Sequence, residues 1–438
     1  MRTQSFDDNH SAWLSGLPPH TPLPPLRGDA TADIAVIGGG ITGISTAWHL
    51  AERYPDRRVV LLEARALANG ASGRSGGQVL NGINGIEPRD GALGQRVFAA
   101  TSAGIDIVEA LAAHSEIDCG FSRKGCLEIY TTAASAASAQ ARVETWRSWG
   151  LPMRWIPASA IAMHGALGAV LDPGAARVNC AALVRGLRPV LLARGVAIHE
   201  MTPVLRIDDG ETLTLGTPEG SLRASAVVLA TNGYTPRLGF FRNGILPLHS
   251  HVVATAPISD ARWAELGLGT FAGFADDLDR IAYGVRTPDR RRLFGGGSNA
   301  AYSYQFGGSP MYAAATARAA RHYDAVEQCM RGYFPGLADT PVTHRWTGTL
   351  GLTFDRICSM GVMGPHRNIY YALGYSGHGL ALGALAGRVL RDLYSDDHEP
   401  WRALPFYHKR LLPIPPEPLR WLGYQAYTRI TGQSPRKR

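Results

Sequence analysis

The apolar run Asp33-Ile34-Ala35-Val36-Ile37 has no polar alternation and predicts a strand buried on both faces. Gly38-Gly39-Gly40-Ile41-Thr42-Gly43 follows, then a helix to about Arg53 with Ile41, Ile44, Trp48 and Ala51 near the helical repeat. Val59-Val60-Leu61-Leu62 predicts the next strand, ending at Glu63, so the segment reads as a βαβ unit. Gly195-Val196-Ala197-Ile198 and Ala226-Val227-Val228-Leu229-Ala230 predict further strands, the first preceded by a helical stretch from about Ala181 to Arg194. Between these lie segments that mix helical runs, as from Met311 to Arg331 around Tyr312, Ala315, Ala319 and Tyr323, with short strands such as Arg292-Leu293-Phe294. Ile369 to Leu373 predicts a last strand, leading through Gly374-Tyr375-Ser376-Gly377-His378-Gly379 into a helix from Leu380 to about Leu393. The fold class expected is α/β. One unit is drawn from residues 31–90, 171–236 and 341–400, and an interleaved α+β unit from 91–170 and 237–340. Residues 1–30, polar and then rich in proline, form an arm, wrapped over the surface or loose in solvent.

Composition narrows the class. At 438 residues the chain has room for two or three units, and its 18% of charged residues against 45% apolar argues for large buried surfaces rather than long disorder. No run of eighteen apolar residues occurs, and Met1 to Asp8 lacks a hydrophobic signal core, which makes the cytoplasm the expected compartment. Cys119, Cys126, Cys180, Cys329 and Cys358 are odd in number and scattered, a poor basis for a disulfide framework or a metal site. The net charge of +8 raises the question of a nucleic-acid partner. However, the segment 401–438 holds eight basic residues against one acid, Glu417, so +7 sits in this basic C-terminal extension and only +1 in the body. No nucleic-acid partner is expected.

Gly38-x-Gly40-x-x-Gly43, between a predicted strand and a predicted helix, has the context in which this spacing binds a dinucleotide. Gly38 permits the tight turn, Gly40 lets the backbone approach a pyrophosphate, and Gly43 allows close packing of helix on strand. The helix N-terminus at Ile41 and Thr42 then faces the phosphates. Glu63, with Ala64 beside it, lies twenty residues past Gly43, where a carboxylate can accept both hydroxyls of an adenosine ribose. The alternative is a glycine-rich turn that holds no ligand. Ala71-Ser72-Gly73-Arg74-Ser75-Gly76-Gly77-Gln78 offers little to a core and predicts a loop laid over a flat ligand.

With these motifs, the strand end Leu229-Ala230-Thr231-Asn232-Gly233 and the late Gly374 to Gly379 block, the sequence resembles the D-amino-acid-oxidase-like superfamily of FAD oxidoreductases. Its likeness is closest to the gamma-glutamylputrescine oxidase and sarcosine oxidase branch, over about residues 31 to 395. The resemblance implies an FAD-binding Rossmann-like domain with an interleaved α+β substrate domain. It also implies FAD as cofactor, contacted in addition by Val204, Ala230, Asn232, Gly233 and Gly348. Gly377 and Gly379 then let the backbone pass close to the isoalloxazine, while the helix beginning near Leu380 points its positive end at the flavin. His378 adds a hydrogen bond or positive charge, or caps the loop. Tyr375 and His378, with His251, Tyr283 and Trp346 from the strands implied to line the reactive face, are the candidate catalytic set.

Departures from the family refine the expectation. Where sarcosine oxidases tether the flavin by a cysteine seven residues before an aspartate, the corresponding Asp355 is preceded at that distance by Gly348, which implies non-covalent FAD. The lysine that holds a substrate carboxylate in those relatives is replaced by Ala381, which disfavours a simple N-methyl amino acid. Of three lysines, only Lys124 lies in the body as a candidate for promoting oxygen reactivity. The reaction implied is hydride transfer from a small-molecule amine to flavin, giving an imine that hydrolyses, with oxygen or quinone as acceptor. The rivals are a membrane-surface amine dehydrogenase of the same fold that passes electrons to quinone, and a flavin-binding protein without turnover. Arg286, Arg290, Arg291 and Arg292 either meet an anionic substrate or form a solvated hairpin face. In the tail, Leu419, Leu422, Ala426 and Ile430 share a helical face that either docks on the core, the expectation here, or makes a weak contact with a membrane surface.

Overall fold

The computed structural model describes residues 11–266, 271–278, 280–296 and 317–431. Two large sheets organise them. In the first, the spatial order of strands is Ser359–Met363, Ile369–Leu373, Gly220–Leu229, Gly28–Ile37, Val59–Leu62 and Ala197–His199. All neighbours are parallel except the first pair, a hairpin. Ile34 to Ile37 and Val59 to Leu62 are buried throughout, as a central parallel strand with both faces covered requires. One face is covered by the helices Ile41–Arg53 and Gly379–Tyr394, which pack so closely that a Cβ on Gly387 would lie 2.3 Å from Ser45 Oγ. Arg206–Asp208 and Leu213–Gly216 continue antiparallel from Gly220–Leu229.

The second sheet runs Val342–Leu352, Leu246–Thr255, Arg292–Gly296, Ala282–Arg286, Gly273–Asp276, Cys126–Tyr130, Gly168–Asp172 and Arg154–Pro157. Only Gly273–Asp276 and Cys126–Tyr130 run parallel. Its strands alternate faces. Val252, Ala254, Val285, Leu293 and Trp346 join the large core that also holds Ile34 and Ile44, while Val253, Phe274 and Phe294 join a separate core beneath the helix Ala317–Tyr333.

Several boundaries differ from the sequence expectation. Val342–Leu352 pairs over ten positions with Leu246–Thr255, so residues 341–352 belong to the second sheet. The helix Gly91–His114, expected in the α+β unit, packs on Gly379–Tyr394, with Gly104 so near that a Cβ there would lie 2.5 Å from the Ala381 carbonyl oxygen. That helix is also long and apolar enough to cross a membrane, although Val97, Thr101, Ile105, Val108 and Leu111 are turned into the protein. The helical stretch from Ala181 is two short helices, Cys180–Gly186 and Arg188–Ala193, broken before Pro189. Trp401, Leu404 and Phe406 are buried and Met360 N donates to the Phe406 carbonyl, so the extension proper starts after these residues. Tyr312 and Ala315 lie outside the described residues.

The proline-rich arm is wrapped, not loose. His20 Nε2 and Leu23 N reach the two carboxylate oxygens of the fully buried Glu200 at 2.7 and 2.9 Å, and Leu26 N donates to Thr202 Oγ1. Burial alone would raise the Glu200 pKa; its hydrogen bonds from His20, Leu23 and Leu67 outweigh that and hold it below the usual carboxylate value.

Candidate active site

At the carboxyl end of Gly28–Ile37 the chain turns through Gly38, whose φ of +110° excludes most side chains. A Cβ on Gly43 would fall 1.8 Å from the Gly38 carbonyl oxygen, so helix and turn touch there. A Cβ on Gly40 would fall 2.8 Å from Ser72 Oγ, which accepts a hydrogen bond from Ile41 N at 2.9 Å. The first turn of the helix thus presents N–H groups at the strand ends, with Ser72 brought onto them from the following loop. Glu63 closes the crevice: its Oε2 accepts from Gly39 N at 2.6 Å and its Oε1 from Arg65 N at 3.0 Å, each oxygen keeping a lone pair for a further donor. Burial pushes its pKa up, against the effect of these two N–H groups. Ala64 stands beside it, and Val204, partly buried, packs on the same side of the sheet as Leu213 and Leu215. Ala230 N bonds the Ile37 carbonyl, holding the two strand ends together.

The loop Ser72 to Gln78 bridges the two sheets. Arg74 Nη1 donates to the Thr347 carbonyl at 3.2 Å, and Trp346 Nε1 donates to the Arg74 carbonyl at 3.1 Å. Gly348 lies against Arg74, and Gly76 lies beneath the Tyr283 ring. Gln78 Nε2 donates to the Phe274 carbonyl at 2.7 Å. Behind the loop sits Trp13 from the arm, whose indole packs on Gly77 and whose Nε1 donates to the Ser75 carbonyl at 2.7 Å, while Ser11 Oγ donates to the Gly73 carbonyl.

From the opposite side comes Gly374 to Gly379. Gly374 N donates to Asn232 Oδ1 at 2.9 Å, and Gly233 abuts the backbone of Leu350 and Gly351. Asn84 Nδ2 donates to the Ser376 carbonyl at 2.7 Å. Gly377, at φ +107°, is exposed, and a Cβ there would meet nothing. His378 is the residue before the first turn of Gly379–Tyr394 and makes no side-chain cap to it. Tyr375 is buried, its hydroxyl 3.0 Å from Thr42 Oγ1, so the N-terminal turns of the two helices are pinned to each other.

Of the five candidate catalytic residues, the structure gathers four near these loops. Tyr375 is a brace between helices, and burial pushes its pKa far up. Trp346 is wholly buried with its N–H spent on Arg74, a support of the loop rather than a wall of a cavity. Tyr283 stands on the same face of the second sheet, its hydroxyl 2.7 Å from Ser250 Oγ and its pKa pushed up to about 12 by burial, so it stays protonated. His251 is corrected: strand alternation puts it with Val253 on the other face, 5.0 Å from the His322 ring and 5.3 Å from the Tyr323 ring. Burial lowers its pKa to about 3 and that of His249 to about 4, so both are neutral. Lys124 is exposed and the only other described lysine, Lys409, pairs with Asp355 at 2.5 Å. Of the arginine run, Arg286 and Arg290 pair with Asp260 and Arg291 with Asp289 at the surface, whereas Arg292 is buried over Trp263 and Phe334. The residues missed from sequence are Ser11, Trp13, Asn84 and Glu200, each bonded across a long stretch of chain; Trp13, a lone tryptophan in a polar arm, was the one legible signal.

A glycine-lined turn under a helix N-terminus, a buried carboxylate at the next strand end and a second helix N-terminus pinned to the first define a dinucleotide-binding oxidoreductase. The family model for FAD dependent oxidoreductases, the DAO family, matches residues 33–393, and the chain belongs to it. It is an FAD-dependent oxidoreductase of the class that acts on the CH–NH2 groups of amines and amino acids. The chain is 29% identical over 422 residues to gamma-glutamylputrescine oxidoreductase of Escherichia coli (strain K12), covering 90% of this chain and 92% of that one. It is 24% identical to glycine oxidase of Geobacillus kaustophilus over 85% of this chain and 96% of that one. The crystal structure of the Geobacillus kaustophilus glycine oxidase superposes with a TM-score of 0.73 at 22% identity, over 87% of this chain and all of that one. L-proline dehydrogenase from P. horikoshii superposes at 0.67 and 20% identity, over 87% and 98% of the two chains.

Proposed function

We propose that the protein holds FAD non-covalently and oxidises a primary or secondary amine that carries no carboxylate beside the reacting nitrogen. The observation that carries this reading is the pair of helix N-termini joined through Thr42 and Tyr375. One turn, Gly38 to Thr42, fits a pyrophosphate, and the other leaves open backbone at Gly377, where the isoalloxazine would lie. Glu63 would accept the ribose hydroxyls, and Ser72 to Gln78 would lie along the ring system. Bound FAD would supply the two-electron oxidant for a hydride leaving the carbon that bears the amine, and the imine so produced would be hydrolysed to an aldehyde or keto product.

The protein's own part is binding and electrostatics. The N-terminal N–H groups of Gly379–Tyr394 favour negative charge beside them. Tyr283 and Ser250 offer hydroxyls to the amine without a formal charge, and their apolar surroundings favour its neutral form, the one whose lone pair can assist C–H cleavage. No lysine stands at position 381; Ala381 is buried against Gly104, which removes the cation that the resemblance associates with a substrate carboxylate. Non-covalent attachment is supported by the thiols: burial raises all five pKa values, to about 12 for Cys180 and Cys358, leaving no reactive thiolate. The likeness to gamma-glutamylputrescine oxidoreductase favours an amine at the end of an alkyl chain. The test is anaerobic mixing with a panel of amines followed by air: bleaching of the flavin band and rapid return support an oxidase, bleaching with slow return a dehydrogenase passing electrons to quinone, and no bleaching overturns the reading.

A further inference from the structure

The helix Leu419–Thr431 docks on the body, but with the face opposite to the apolar one expected from sequence. Trp421 and Tyr424 pack with Ile414 on Leu246, Leu248 and Leu352. Arg420 is buried, its Nη2 donating to the Arg242 carbonyl at 3.0 Å and its Nε to the Pro415 carbonyl at 2.9 Å. Thr428 is buried as well, its carbonyl held by Arg280. These contacts fix how the helix is rotated. They leave Leu419, Leu422 and Ile430 exposed by 61, 51 and 83%, with Ala426 exposed between them and Tyr427 at 42% beside them. Positions 419, 422, 426 and 430 recur at helical spacing, so these side chains form one continuous outward stripe.

Charge says what this stripe meets. Arg429 flanks it and is exposed, Arg242 is exposed on the segment beneath, and Arg356 reaches the Tyr427 hydroxyl at 3.3 Å. The sequence beyond the helix ends Arg436-Lys437-Arg438, and Glu417 is the only acid from position 401 onward. Its carboxylate accepts from Trp421 N at 3.1 Å. A second copy of the chain is disfavoured as occupant, because pairing two such helices would bring two clusters of arginine together. An apolar stripe with Arg429, Arg242 and Arg356 beside it matches an anionic lipid surface, in which the stripe enters the acyl boundary and these basic residues stay among the headgroups.

We propose that Leu419–Thr431 is a membrane-surface device. It is held rigidly by its Arg420, Trp421 and Tyr424 face and lies flat on an anionic bilayer through Leu419, Leu422, Ala426 and Ile430. The proposal stands apart from the redox reading, since nothing in it depends on the cofactor or the amine.

The test uses full-length, flavin-loaded protein sedimented with vesicles of phosphatidylcholine alone or mixed with phosphatidylglycerol. Binding is expected only to the mixed vesicles, and to weaken as salt is added. The double variant Leu422→Glu, Ile430→Glu should lose binding while keeping its melting temperature and flavin content, because neither side chain supports the core. Replacing Arg436, Lys437 and Arg438 by glutamine should weaken partitioning on the order of a hundredfold, at about 1 kcal/mol for each charge. Absence of binding, equal binding to both vesicle types, or binding retained by the double variant would overturn the proposal. A melting temperature lowered in that variant would show the stripe to be buried, and a dimer that it dissociates would give the stripe to a second copy; either result also overturns it.

Discussion

Trp13 Nε1 donates to the Ser75 carbonyl at 2.7 Å, across sixty-two residues of sequence, and its ring packs on Gly77. The arm is thereby part of the candidate active site, since the loop it braces is tied to the helix Ile41–Arg53 through Ser72 and to the second sheet through Arg74 and Gln78. Trp13→Ala should destabilise the protein by about 3–5 kcal/mol and weaken retention of FAD. Trp13→Phe, which keeps most of the packing and loses the hydrogen bond, should cost about 1 kcal/mol. Denaturant melts with and without added FAD separate the two, and an unchanged FAD affinity in Trp13→Ala would leave the arm a purely structural strap.

Gly40→Val should abolish FAD retention while the protein still folds. Its Cβ would stand 2.8 Å from Ser72 Oγ, and the branched methyl groups would fill the space in front of the Ile41 N–H. Flavin content after gel filtration and the far-UV dichroism spectrum are the readouts; wild-type occupancy would place the cofactor elsewhere.

The expected architecture followed from local patterns, and the departures came from contacts that local patterns do not encode. Ile34 to Glu63 is a contiguous βαβ unit whose turn chemistry is written in adjacent residues, which is why the turn and its buried acid were found. His251 was placed on the wrong face because the strand Leu246–Thr255 is buried on both sides, so alternation there carries no polar signal to tell the faces apart. The tail helix has apolar residues on two faces, and the choice between them is made by Arg420, whose bonds go to backbone carbonyls that no sequence pattern marks. Glu200 likewise acquires its role from His20, one hundred and eighty residues away.

Protonation of His251 should weaken the fold on acidification. Its folded pKa, about 3, lies below the ordinary histidine value of 6.5, so between those limits the unfolded chain binds the extra proton and stability falls as pH falls. The loss should reach roughly 2–4 kcal/mol by the lower end, and His251→Phe should remove most of that part of the acid limb. Stability measured by urea melts across that window checks the slope; an unchanged slope in the variant would mean His251 is charged in the native state.

Arg292 is 4% exposed, its Nε is buried without a hydrogen-bond partner among the described residues, and burial pushes its pKa down to about 9. Stacking on Trp263 and Phe334, with centroids 4.7 and 4.6 Å away, offsets only part of that desolvation. Arg292→Met, similar in length and without charge, should therefore stabilise the protein by about 1–4 kcal/mol. A lower denaturation midpoint in this variant would show that the charge is needed where it lies.

The central claim, a non-covalent FAD enzyme that oxidises amines, is tested most directly by anaerobic titration of the purified yellow protein with primary and secondary amines while the flavin band is followed. Bleaching by at least one amine, with one aldehyde or keto product per flavin and intact FAD released on acid precipitation, is the expected result. A band that dithionite bleaches but no amine does, or flavin that stays with the precipitated protein, would contradict it.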